Sequence, residues 1–420
     1  MIQEPRWMGV KRTGSRKISG LKQIALPLLA AASFLVSSAP AQAADPIRVG
    51  EINSYKRFAA FLVPYRQGWE MALEEVNAAG GINGRPLEII ARDDGGNPGN
   101  AVRAAEELLA REKVDLLAGG FLSHIGLALS DFALQRKTFF LAGEPLTDKI
   151  VWEKGNDYTF RLRPSTYMQV AMLVPEAVKS GKKRWAMVYP NYEYGQSAAA
   201  TFKKLMTEAM PDVEFVGEQA PPLLKIDAGA VVQALEELKP DGVFNVLFGS
   251  DLAKFVREGN TRDLFKDREV ISLLTGEPEY LDPLKKEAPE GWLVTGYPWD
   301  KIDIPEHQAF LAAYQKKYDD YPRTGSIVGY AMVKALAAGL IAADSTDSQD
   351  LIKAFRGLSF DTPFGKAMFR EQDQQSTLGA FVGRTTQVDG KGTMKDFSYQ
   401  DGADFQPSDE EVAARRGDAK

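Results

Sequence analysis

Ser123 and His124 stand side by side in LLAGGFLSHIG (Leu116–Gly126), where an apolar run ends in two glycines. A serine beside an imidazole raises nucleophilic catalysis as a first reading. That chemistry needs the oxygen aligned with its base, and a third group to orient the base. Chain neighbours rarely meet that geometry, and no Gly-x-Ser-x-Gly elbow is present. Two other readings use the same serine. It can cap a helix by accepting from the first free N–H groups. It can also help cradle a ligand, since those N–H groups attract negative charge. The residues favour a cradle or a cap over a nucleophile, and His124 is expected at the rim of a pocket or on the surface.

The rest of the chain narrows the chemistry. With 420 residues and no cysteine, it forms no disulfide, has no thiol nucleophile or thiolate metal site, and offers no cysteine for lipid attachment. The second and last histidine is His307, which argues against a histidine metal centre. No Gly-x-Gly-x-x-Gly follows a strand, and there is no Walker A loop or His-Glu-x-x-His, so neither nucleotide, zinc nor any other cofactor is expected.

Residues 1–43 stand apart in composition. Five basic residues from Lys11 to Lys22 precede the apolar run IALPLLAAASFLV (Ile24–Val36), and AQA (Ala41–Ala43) supplies a small-residue cleavage site. The expectation is a cleaved secretory signal over 1–43 with Ala44 first in the mature chain, which would lie free in a Gram-negative periplasm. Residues 1–43 carry six of the 51 basic and one of the 57 acidic residues, so the remainder has a net charge of −11. An acidic chain without a basic stripe argues against nucleic acid. No later segment is expected to span a bilayer.

The elements that would position Ser123 alternate between strand and helix. IRVGEIN (Ile47–Asn53), LEIIAR (Leu87–Arg92) and VDLLAGG (Val114–Gly120) read as strands. Between them, Trp69, Ala72, Leu73 and Val76 fall on one helical face, and Asn97 with Pro98 opens a second helix. The pattern restarts with RWAMVYP (Arg184–Pro190) and the helix Tyr194–Met210, then runs on through GVFNVLF and REVISLLTG. Two helices come next, Pro305–Tyr318 and Ser326–Ala343, and a third ends at Gly357. FGKAMFRE and GAFVGRTTQV read as strands, and the polar stretch from about Gln400 as a frayed tail. Alternation of this kind implies parallel sheets built through right-handed crossovers.

In this order the segments resemble the leucine/isoleucine/valine-type periplasmic substrate-binding proteins of ABC importers. The resemblance rests on GGINGRPLE with DDGGNP, then VDLLAGGFLS, YEYGQSAAATFKKL and EGWLVTGYPWD, and covers about Ile47 to Val388. It implies a type I periplasmic binding protein fold, two doubly wound α/β lobes joined by three hinge crossings, with ligand held between them. The crossings would lie near Leu162–Ser165, Gly296–Trp299 and Asp361–Gly365. Lobe one would then hold 45–163 and 299–361, and lobe two 164–298 and 362–400, with 401–420 a flexible tail. The implied function is capture of a small organic ligand, an amino acid of branched-chain or aromatic type, by a monomer that delivers it to a membrane permease. An amine-free aromatic carboxylate or an amide is the alternative ligand, and sensing for a membrane receptor the alternative role.

The same resemblance assigns site residues. Ser123 matches a serine that holds the ligand carboxylate. Tyr194 matches an aromatic that covers the ligand from lobe two, though a tyrosine there also covers a helix start. Phe248 would face the cleft or simply fill the core. Glu277 matches an acid that accepts an ammonium, unless it is a solvated loop residue. One position departs from the family: AGEPLT puts Glu144 where small or hydroxyl residues usually reach a carboxylate. Glu144 would repel an acid unless it is turned away or protonated, and could instead hold an ammonium or amide N–H. Tyr55, with Phe58 and Phe61, makes the first loop long and aromatic, and Tyr167 is a further candidate wall.

Overall fold

The computed structural model describes residues 45–416, so the expected signal at 1–43 and residue Ala44 lie outside it. The first sheet contains β1 (Ile47–Asn53), β2 (Leu87–Asp93), β3 (Leu116–Gly119), β4 (Phe140–Ala142) and β5 (Thr159–Arg161). All its pairings are parallel, in the order β2-β1-β3-β4-β5. The crossover helices are α1 (Ala59–Ala78), α2 (Pro98–Glu107) and α3 (Ser123–Arg136). Asn97 caps α2 as expected, its side chain accepting from the Asn100 N–H, with Pro98 in the first turn.

The second sheet repeats the plan. Its strands are β6 (Arg184–Val188), β7 (Glu214–Gln219), β8 (Gly242–Asn245), β9 (Glu269–Gly276) and β10 (Leu293–Gly296), in the parallel order β7-β6-β8-β9-β10. The helices here are α4 (Thr166–Lys179), α5 (Glu193–Ala209), α6 (Ala228–Glu237), α7 (Gly249–Thr261) and the one-turn α8 (Pro278–Leu281). Both lobes therefore reverse strand order at matching places, between β1 and β3 and between β6 and β8. Ligands of open α/β sheets collect outside the strand ends at such switch points.

After α8 come α9 (Pro305–Tyr318), α10 (Thr324–Ala343) and α11 (Ser348–Phe355). By length and composition α10 is apolar enough to cross a membrane, which corrects the expectation that no later segment is. Its place here is the core. Ile327, Val328, Leu336 and Leu340 are buried, each burial contributing roughly 1.5–3 kcal/mol. Contact with α1 is close enough that a Cβ on Gly68 would stand 2.0 Å from the Ser326 carbonyl oxygen.

A two-stranded sheet, β11 (Ser359–Thr362) with β12 (Gly365–Met368), precedes the antiparallel extension of sheet two by β13 (Ala380–Val388) and β14 (Lys391–Gln400). The stretch expected to fray carries a 3₁₀ turn (Gly402–Phe405) and a helix, α12 (Asp409–Arg416). Val412 is buried and the Arg415 guanidinium lies 4.4 Å over the Trp152 ring, which together seat α12 on the body. Helix α4 leaves no signal in the sequence pattern. It carries Pro175 and buries residues on most of its circumference, so it has no clean apolar stripe.

A candidate ligand-binding cleft

Strand β3 ends at Gly119 and Gly120, with φ of +107° and +80°. A Cβ on Gly119 would fall 2.4 Å from the Ile52 carbonyl oxygen of β1, so only glycine fits this turn beside the neighbouring strand. The turn delivers Phe121, Leu122 and Ser123 to the head of α3. Ser123 is the first residue of α3 and not its cap; Leu122 holds that place. The serine is buried, and its Oγ accepts from the Thr147 N–H at 3.2 Å.

Lobe two answers with its own strand ends. The β6–α5 connection brings Tyr192 and the first turn of α5 brings Tyr194, the β8–α7 connection brings Phe248, and Leu274 lies two residues before the end of β9. Leu274 has φ of +65°, a left-handed conformation costly for a branched side chain. Its N–H donates to Thr295 Oγ1 at 2.9 Å, which helps hold it there. From these ends a small cavity of about 20 Å³ is built, lined by Ser123, Glu144, Tyr194 and Phe248 and also by Phe121, Arg163, Tyr192 and Tyr280. That is room for about one water and far below the roughly 300–1,000 Å³ of small-molecule sites, so a ligand enters this cleft only as the lobes part.

The lobes meet around this cavity. Phe58 and Phe248 stand with ring centroids 6.1 Å apart. Thr147 Oγ1 donates to Glu193 at 2.7 Å and Lys149 pairs with the same carboxylate at 3.0 Å. Beyond Phe121, Phe248 and Tyr280, which serve both spaces, lies an apolar groove of about 480 Å³.

At the polar end the decisive residue is Arg163, which the sequence alone does not single out. It is buried, donates from Nη1 to Glu144 Oε2 at 3.3 Å and from Nη2 to Glu277 Oε1, and lies 5.0 Å over the Phe61 ring. Glu144 lies just after β4 and lines the cavity; Glu277, expected there too, stands between β9 and α8 and lines a neighbouring pocket with Arg163 instead. Glu277 is 3 % exposed, which excludes the solvated-loop alternative. Burial raises the Glu144 and Glu277 carboxyls to about 8 in spite of Arg163. Burial also opposes the Arg163 charge, but Glu277 and Glu144 outweigh it and hold the guanidinium above its ordinary range.

The remaining candidates fall elsewhere. The Tyr55 hydroxyl donates to Glu51 at 2.8 Å and accepts from Trp69 at 3.1 Å, turned into lobe one and not among the cavity walls. Tyr167 meets the Trp152 ring edge-on at 5.4 Å, near Arg415, also away from the cavity. His124 is half-buried against Tyr192 at the rim, and burial lowers its pKa, partly offset by Glu193.

Two α/β lobes with a ring-walled cavity at both switch points define a ligand-binding protein. The chain belongs to the periplasmic binding protein family, whose model matches residues 54–392. It is 25% identical over 385 residues to a Leu/Ile/Val-binding protein homologue of Brucella suis, covering 86% of this chain and 94% of that one. It is 26% identical over 317 residues to the leucine-, isoleucine-, valine-, threonine- and alanine-binding protein of Pseudomonas aeruginosa, covering 73% and 81%. Among solved structures, a Rhodopseudomonas palustris ABC-transporter solute-binding protein in complex with 3,4-dihydroxybenzoic acid superposes with a TM-score of 0.77. It is 22% identical, with 85% of this chain and 98% of that one covered. The fold is the two-lobed type of these transporter components, and the chain is a binding protein of that class, not an enzyme.

Proposed function

We propose that this protein captures one small amphipathic organic molecule between its lobes in the periplasm and presents it to the membrane permease of an ABC importer. The observation that carries this reading is Arg163 joined to Glu144 of one lobe and Glu277 of the other at the wall of a ring-lined cavity. A ligand that touches both lobes favours the state in which they meet, and a permease can read that state through its differential affinity. The polar end of the ligand lies against Ser123 and Glu144, with Glu277 acting on it through Arg163. Its apolar body lies against Tyr194 and Phe248, which favours an aromatic or branched side group. The lobes divide at 163/164, near 298 and near 361, and residues 1–43 are removed on export. A monomer suffices for this role.

Thermal unfolding of the exported protein against a panel of aliphatic and aromatic amino acids, aromatic carboxylates, amides and amines tests it. A ligand at 1,000 times its Kd adds about 4 kcal/mol, a shift of several degrees. A shift confined to one chemical class supports the reading. Turnover of an ester or amide that vanishes in Ser123→Ala contradicts it.

A further inference from the structure

We propose that the ligand of this cleft is a cation with no free carboxylate, an amine or amidine carried on an aromatic or apolar body. This rests on the cleft being the binding site, and it narrows the ligand class.

The charge inventory is unbalanced. Glu144 and Glu277 each give one oxygen to Arg163, while Glu144 Oε1 and Glu277 Oε2 are buried and have no hydrogen-bond partner. Two residues on, Glu279 accepts from the Gly325 N–H at 2.7 Å through Oε1 and leaves Oε2 in the same condition. Among the described residues, Arg163 is the only cationic side chain that lines the cavity. Three buried carboxyl groups therefore share one guanidinium; Glu144 lines the cavity itself, Glu277 a pocket on the other side of Arg163, and Glu279 the adjoining groove.

A buried acceptor without a donor costs about 1–3 kcal/mol, and more if charged. A ligand carboxylate would bring like charge wherever Glu144 or Glu277 is ionised and would be met only by their protonated forms, with Arg163 already engaged on both sides. An ammonium or amidinium supplies both missing quantities, N–H donors for the free oxygens and positive charge. The walls suit the same group. Phe121, Tyr192, Tyr194, Phe248 and Tyr280 line the cavity, and the faces of such rings attract a desolvated cation.

Burial is the main reason Glu144 and Glu277 titrate high. The charged and titratable groups bearing on them are Arg163 and Glu279 on both, Glu51 on Glu144 and Glu144 on Glu277, with Tyr65 facing Glu144 and Tyr194 and Tyr280 facing Glu277. A bound cation would draw a proton from this cluster, so its binding at neutral pH should release about one proton.

The test is calorimetry at pH 7 in two buffers of different ionisation enthalpy, on the mature wild-type protein and Glu144→Gln. Three probes share a phenyl group: phenethylamine, phenylalanine and 3-phenylpropionate. Phenethylamine should bind at least tenfold more tightly than the other two, release protons, and lose at least tenfold in Glu144→Gln. If that variant fails to fold, the wild-type ranking decides alone. Phenylalanine or 3-phenylpropionate binding as tightly as the amine overturns the cation class and leaves the cleft standing, as does an amine that binds without proton release. No binding by the amine overturns the proposal too, and failure of every member of the wider panel counts against the cleft itself.

Discussion

Glu144 and Glu277 come from opposite lobes, 133 residues apart in the chain by their numbers, and meet through a single guanidinium. Each carboxylate leaves one oxygen unpartnered in the interior. A buried ion pair is weak grounds for stability by itself, because desolvation offsets attraction. Its removal, by contrast, strands the partners, and that asymmetry is measurable.

Arg163→Leu should destabilise the protein by about 3–5 kcal/mol in urea denaturation at pH 8, because two buried carboxyls lose their counter-charge. At pH 5 the loss should be smaller, since the stranded acids are then neutral at little cost. An equal loss at both pH values would show that Arg163 acts through packing on Phe61 and not through charge.

The wild-type protein without ligand should lose stability as pH rises from 6.5 towards 8. Glu51, Glu144 and Glu277 have folded values near 8, above the ordinary 4.5, chiefly through burial. The folded chain thus keeps protons that the unfolded chain has released. The stability these groups contribute is complete below about 4.5 and is lost as pH passes through about 8. His307, lowered by burial to about 4 from 6.5, works in the opposite sense below 6.5, so the higher window isolates the carboxyls. A melting temperature that falls across this window, less steeply in Glu144→Gln, is expected. A flat or rising profile contradicts the assignment.

Much of the fold is legible in the sequence where one face decides. Strand β1 lies where its short apolar run puts it, helix α9 spans the expected Pro305–Tyr318, and the Asn97–Pro98 start of α2 is a local signal. Strand β14 is not legible, because it is a largely polar sheet edge, and α4 hides its periodicity by being buried nearly all round. At the site, Ser123, Glu144, Tyr194 and Phe248 are legible because they lie just past strand ends. Arg163 is not, for a physical reason. A lone arginine reads as solvated, and its burial comes from Phe61, Glu144 and Glu277, which only the fold brings together. Its one sequence signal is Arg161, the alternate residue, which is also fully buried.

Gly119→Ala should cost about 2 kcal/mol or more. The φ of +107° is unfavourable for alanine, and the added Cβ would press on the Ile52 carbonyl 2.4 Å away. Denaturant midpoints measure the cost. The displaced β3–α3 turn should also weaken whichever panel member binds, and unchanged stability and affinity would show that the turn adapts freely.

Tyr194→Ala and Tyr167→Ala separate cavity walls from bystanders. Both side chains are buried, but only Tyr194 lines the cavity. Calorimetry with the ligand found in the panel should show at least a tenfold loss for Tyr194→Ala and little change for Tyr167→Ala. The reverse order would move the site towards α12.

The most direct measurement is hydrogen exchange by mass spectrometry with and without that ligand. Capture between the lobes predicts that amides of 120–126 in lobe one and of 190–196 and 246–250 in lobe two gain protection together. Protection confined to one lobe, or lying away from these strand ends, would contradict binding in the cleft.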